Sequence, residues 1–242
     1  MTRLAMIQVI VFRVFLSGYL LYFFVKLFPQ AHTLLGAKGI FKGTKFYANF
    51  PNVFSYAENL LHVQVMVGAF ALCCLLMAWG YERREMALLI WYGWSSIMGQ
   101  SATIHFPTEF YIGAFLWMFV LIPKGEGMPT TMHKLAWVIA ACAYSYTGYL
   151  NLGSPQWTSG TDLQKAIICL QLGFAILALN LWTRALAWIA MTAVHVLALL
   201  TYQRMEVTVA LLLVHTFLFE VKWLERLAPY FRPKSRIPEV YR

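Results

Sequence analysis

Long apolar runs separated by short polar ones set the pattern of this chain. A membrane-crossing helix takes about 20 mostly apolar residues, and the runs return to that length repeatedly. Residues 7–28 form the first, broken only by Arg13 and Lys26, and residues 60–79 form a second with no charge at all. Residues 86–123 hold a single acid, Glu109, and are too long for one helix, so they read as two short spans folded about the polar segment 100–109. Residues 135–150, 166–182, 185–202 and 207–224 complete the series, with a polar connection at 151–162. The pattern predicts an all-α, polytopic integral membrane helix bundle of about eight spans. It forms one domain, residues 1–224, followed by a basic tail, residues 225–242. The first run is too long for a signal peptide and lacks a small-residue cleavage site, so it is expected to remain as the first span.

Composition narrows this further. Of 242 residues, 60% are hydrophobic and 12% charged, and the mean hydropathy is +0.62. Soluble domains carry about 25% charged residues. Half of that cannot cover a water-facing surface, which excludes a soluble enzyme. The net charge of +9 would fit a nucleic-acid partner, but the basic residues stand between and after the apolar runs. Topology explains them, and no nucleic-acid partner is expected.

Eight spans put both termini on one side. That side carries Arg3, Arg83, Arg84, Lys124, Lys134, Arg184 and the basic residues from Lys222 to the C-terminus, against Lys38, Lys42, Lys45, Lys165 and Arg204 opposite. The positive-inside rule then makes both termini cytoplasmic, and the tail suits anionic lipid headgroups. The opposite face carries the long, irregular segments, and such segments hold function more often than their scaffold. A site is expected there.

Ionisable groups at membrane depth are costly and usually pair. Arg13, near the start of the first span, and Glu220, near the end of the last, are expected to form an ion pair closing the bundle. The alternative for Arg13 is snorkelling to phosphate headgroups. His195 and His215 sit mid-span on consecutive helices, where interhelical hydrogen bonding outweighs a haem or relay role. His105 and Glu109, four residues apart, share a face if their turn is helical and could orient a general base. Cys73, Cys74, Cys142 and Cys169 lie inside apolar runs without a CxxC pair, so they read as small lipophilic side chains, and no metal site is expected.

Residues 144–160 read Tyr-Ser-Tyr-Thr-Gly-Tyr-Leu-Asn-Leu-Gly-Ser-Pro-Gln-Trp-Thr-Ser-Gly. This segment resembles the vitamin K-dependent gamma-carboxylase-like membrane proteins, the horizontally transferred transmembrane (HTTM) family. Members show a span ending in Tyr and Gly, a Lys-Leu pair, then Pro-x-Trp-x-x-Gly; Gly148, Leu152, Pro155, Trp157 and Gly160 match. The run Gly80-Tyr-Glu-Arg-Arg84, the later Leu121-Ile-Pro123 and the early Arg13 are also similar. In the carboxylases that lysine is the catalytic base acting with reduced vitamin K. Here Asn151 stands in its place, and a neutral amide is no base near neutral pH. The large lumenal domain of the carboxylases is also missing, so gamma-carboxylase activity is not expected.

What the resemblance leaves is a lipophilic-ligand-binding protein or an accessory subunit of a membrane complex. Membrane lipids and a partner membrane subunit are its expected partners, and a quinone or other prenyl lipid is its expected ligand class. Tyr146, Trp157 and Asp162 are the candidate ligand contacts. The alternative is a membrane enzyme of quinone-linked redox or lipid chemistry, with His105, Glu109 and Asn151 as its candidate catalytic residues. A transporter ranks last, because no repeat relates the two halves.

Overall fold

The computed structural model describes residues 3–35, 39–40, 51–57, 59–99, 109–122, 129–202, 205–220 and 222–223. Among these it is all-helical, with no strand. Ten α-helices follow one another: α1 (Arg3–Leu27), α2 (Ala31–Leu35), α3 (Leu60–Trp79), α4 (Arg83–Met98), α5 (Glu109–Leu121), α6 (Thr130–Leu152), α7 (Pro155–Thr158), α8 (Asp162–Leu179), α9 (Arg184–Tyr202) and α10 (Met205–Leu218). α3 keeps the bounds expected from sequence.

Among the described residues, three helical stretches are long and apolar enough to cross a membrane: Met6–Leu35, Leu60–Trp79 and Asp162–Leu179. Tyr111–Leu121, Arg184–Leu200 and Thr208–Leu218 are apolar but shorter. The last run was expected to continue to residue 224; α10 ends at Leu218, and residues 222–223 are helical again. At this break the amide of Gln8 donates to the carbonyls of Phe217 and Phe219, groups that a helix end leaves without an intrahelical partner. Gln8 thereby joins the first and last helices.

The ends of the other helices are written locally. Asn59 caps α3 by accepting from the His62 N–H at 2.9 Å. Gly80 stops α3 in the left-handed region at φ 96°, with the Gly80 and Tyr81 N–H groups both donating to the Leu76 carbonyl at 3.0 Å. Thr161 and Gln164 form a reciprocal capping box that starts α8.

α1 shows how the bundle is layered. Val9, Phe12, Leu16, Leu20 and Phe24 form its buried stripe, while Ile10, Val14, Phe15 and Val25 on the other side are exposed. A helix apolar all round suits a core or a membrane, not a water-facing surface. Phe12 meets the rings of Phe115, Phe119 and Phe217 at centroid distances of 4.9, 5.6 and 5.1 Å, tying α1 to α5 and α10. Gly93 of α4 admits the Phe70 ring of α3, to which a Cβ would come within 2.7 Å.

α6 and α8 cross closely. A Cβ on Gly148 would lie 2.7 Å from the Leu172 backbone nitrogen. One turn away Ser145 Oγ accepts from the Ala175 N–H at 3.1 Å, and Asn151 Nδ2 donates to Gln171 Oε1 at 3.0 Å. Small and amide side chains at successive turns are how apolar helices approach closely when no hydrophobic force separates them from lipid.

Candidate functional site

Three polar side chains from three helices meet inside this apolar frame. The Tyr144 hydroxyl on α6 lies 2.7 Å from His195 Nε2 on α9 and 2.9 Å from His215 Nε2 on α10. All three are buried, His215 to 1% exposure. Phe174 of α8 packs on the Tyr144 ring at 4.8 Å between centroids, and Trp188 Nε1 donates to the His215 carbonyl at 2.7 Å.

Proton counting orders the triad. A phenol has one proton to donate, and a neutral imidazole has one N–H. Among the described residues His215 Nδ1 has no partner, and a bare lone pair is cheaper there than an orphaned N–H. His215 is therefore assigned the Nε2–H tautomer, donating to the Tyr144 oxygen, while Tyr144 donates to His195 Nε2. The result is a one-way hydrogen-bond chain, neutral throughout. A metal would instead require an acceptor for each second ring nitrogen, and no group of three or more His, Cys, Asp and Glu side chains is placed for a metal among the described residues.

A cavity of about 190 Å³ lies between α5, α6 and α10, and none of Tyr144, His195 and His215 is among its lining residues. α5 contributes Tyr111 and Phe115, α6 contributes Leu135, Ala136, Ile139 and Ala140, and α10 contributes Val214 and Phe217. Ala140 precedes Tyr144 by one turn, and Val214 precedes His215 directly. Leu135 and Ile139 are also exposed, so the cavity opens on the flank of the bundle. Its wall is almost wholly apolar.

The sequence-derived candidates fare unevenly. His195 and His215 do meet, but through Tyr144, which was not among the candidate site residues. The spacing of Trp137, Ala140, Ala141, Tyr144 and Gly148, all buried, was the available signal that Tyr144 points inward. Tyr146 is exposed on α6, Trp157 is half-buried on α7, and Asp162 is exposed, 3.7 Å from Lys165 Nζ. None of the three lines the cavity. His105 and the Glu109 side chain lie outside the described residues, as does the tail after residue 224. Asn151 has its amide engaged with Gln171.

The expected Arg13–Glu220 pair is corrected. Glu220 Oε1 instead accepts from Arg184 Nη1 at 2.7 Å, and Arg184 also lies over the Trp137 ring, 5.1 Å from its centroid. Arg13 turns to the end of α3, where Nη2 donates to the Ala78 carbonyl at 3.3 Å. Arg184 was missed because it reads as a connecting-loop charge, although its long side chain reaches back into the bundle.

The motif at residues 144–160 folds as a helical corner. Gly148 serves the α6–α8 crossing, Pro155 opens α7, and a Cβ on Gly160 would collide with Gln164 Oε1 of the capping box. Compared with family models, curated proteins and solved structures, the chain matches none of them.

Proposed function

We propose that this chain is a multi-pass integral membrane protein, eight spans with both termini cytoplasmic, built on an HTTM-like scaffold that lacks the carboxylase lysine. It binds the hydrocarbon part of a lipophilic ligand in the cavity between α5, α6 and α10, alone or as the ligand-binding subunit of a membrane complex. The cavity carries this reading: an apolar hollow opening sideways is useless to a water-soluble ligand and reachable from an acyl-chain layer. Exposed Ile176 and Leu200 on α8 and α9 support the membrane setting. A prenyl lipid or quinone fits the wall, because the chain needs only apolar contact. Asn151, tied to Gln171, supports the absence of carboxylase chemistry.

The test is native mass spectrometry of protein purified in native-lipid nanodiscs. We expect one isoprenoid or acyl lipid per chain in the wild type and its loss in Ala140→Phe, which fills the cavity. Equal retention by both would sink the reading. Recovery of a protein partner and no small molecule would make the chain an assembly subunit instead.

A further inference from the structure

A second polar cluster lies at the break where α10 ends, and three other helices send a side chain to it. Gln8 of α1 donates to the Phe217 and Phe219 carbonyls on either side of Leu218. Arg184, the first residue of α9, donates to Glu220 in the break, and both side chains are mostly buried. From α6 comes His133. Its ring centre lies 6.2 Å from that of Phe217, and the ring faces the carbonyls of Leu218 and Phe219.

His133 stands in the first turn of α6, ahead of the apolar run that begins at residue 135. Its Nε2 is buried and has no hydrogen-bond partner among the described residues. A neutral imidazole can leave that nitrogen as a bare lone pair, whereas an imidazolium carries an N–H on both nitrogens. The added N–H would be stranded, and a stranded buried donor is costly. Burial accordingly holds the His133 pKa below its ordinary value, against the pull of Glu220 and the two carbonyls, and Arg184 adds to the lowering. Among the described residues Glu220 is the acid and Arg184 the base that act on this ring, while Lys134, next along α6, is exposed.

The carboxylate open to an imidazolium here is Glu220, which already accepts from Arg184 Nη1 at 2.7 Å. A proton on His133 therefore sets two cations in competition for one acid. The contest bears on the cavity wall, because Met132 beside His133 and Phe217 and Leu218 at the break are lining residues.

We propose that His133 is a proton-operated latch on the ligand cavity. When neutral it leaves Arg184 and Glu220 to hold the end of α10, and when protonated it loosens that end and the cavity with it. The effect on ligand rests on the cavity reading above; the latch itself does not. The folded protein binds this proton more weakly than the unfolded chain does. Stability is therefore complete above the ordinary histidine value, about pH 6.5, and is lost as the pH falls below it.

The test follows the thermal unfolding midpoint of the full chain in neutral detergent from about pH 8 to about pH 5. Wild type is compared with His133→Gln and with His62→Gln, a change at an exposed histidine. The difference between wild type and His133→Gln carries the result, since the carboxylates, His195 and His215 are common to both. We expect the wild-type midpoint to fall below about pH 6.5 by more than that of His133→Gln, with His62→Gln following wild type. Lipid bound in nanodiscs, counted by native mass spectrometry, should drop roughly threefold or more between about pH 7.5 and about pH 5.5 in wild type and hold in His133→Gln. Should His133→Gln fail to fold, His133→Asn gives the same comparison. Parallel curves for wild type and the variant overturn the proposal. Diverging curves with equal lipid at both pH values overturn its link to the cavity. Diverging curves with no lipid at either pH end the ligand reading and leave the latch standing.

Discussion

Gly148 rests so closely on Leu172 that the hydrogen on its Cα takes the place where any other residue would have a carbon, 2.7 Å from the Leu172 backbone nitrogen. The contact is backbone to backbone, with no flexible side chain to give way. Gly148→Ala should therefore push α6 and α8 apart. Overpacking of this kind costs about 1–3 kcal/mol, and Gly148→Leu should cost more. Thermal unfolding in detergent measures it; an unchanged midpoint for Gly148→Leu would show that the helices do not cross here.

Tyr144→Phe removes the one hydroxyl shared by two imidazoles. Interhelical hydrogen bonds of this kind are worth about 1 kcal/mol each, so a loss of about 2 kcal/mol is expected. The informative measurement is a double-mutant cycle with His215→Leu. The two changes should be strongly non-additive, since either one breaks the same link. Simple additivity would mean that Tyr144 and His215 are not bonded.

Arg184→Gln leaves Glu220 with no cation at 2.7 Å. Because both side chains are mostly buried, at 13% and 18% exposure, the stranded carboxylate should cost roughly 3 kcal/mol. Exchanging the two residues, Arg184→Glu with Glu220→Arg, should restore part of it. Full restoration is not expected, because the Arg184 Nε bond to the Ala178 carbonyl and the stacking on Trp137 are lost. No recovery at all in the exchanged protein would argue that the pair contributes nothing.

Cys142 and Cys169 are exposed, whereas Cys74 is buried. If the outer faces of α6 and α8 meet lipid, a polymer-linked maleimide should leave Cys142 and Cys169 unlabelled in permeabilised membranes. Denaturation in dodecyl sulfate should then label all four cysteines. Rapid labelling of Cys142 or Cys169 before denaturation would place these faces in water.

Apolar periodicity made most of the helical order legible, and the uncharged run at residues 60–79 gave α3 its limits because Asn59 and Gly80 bound it with local chemistry. Partner choice was less legible. Arg13 and Glu220 have matching depth along their helices, but depth says nothing of azimuth, and Arg184 stands on the correct side of Glu220. The break after Leu218 was hidden for a similar reason, since the Gln8 amide that meets the Phe217 and Phe219 carbonyls there comes from more than 200 positions earlier. The cavity had no signature at all. It exists because Ala136 and Ala140 are small where α5 and α10 leave room, a fact of packing that no single segment contains.

The Gln8 clamp also bears on how the protein is made. Its donor is made before its acceptors, which lie 209 and 211 positions later in the chain. At about 5–20 residues per second, roughly ten seconds or more of synthesis separate the two. Throughout that interval α1 carries an unmet amide and an open apolar flank. The α1–α10 contact forms only when α10 arrives, so a nascent chain arrested before Phe217 should be far more sensitive to protease than one that includes it.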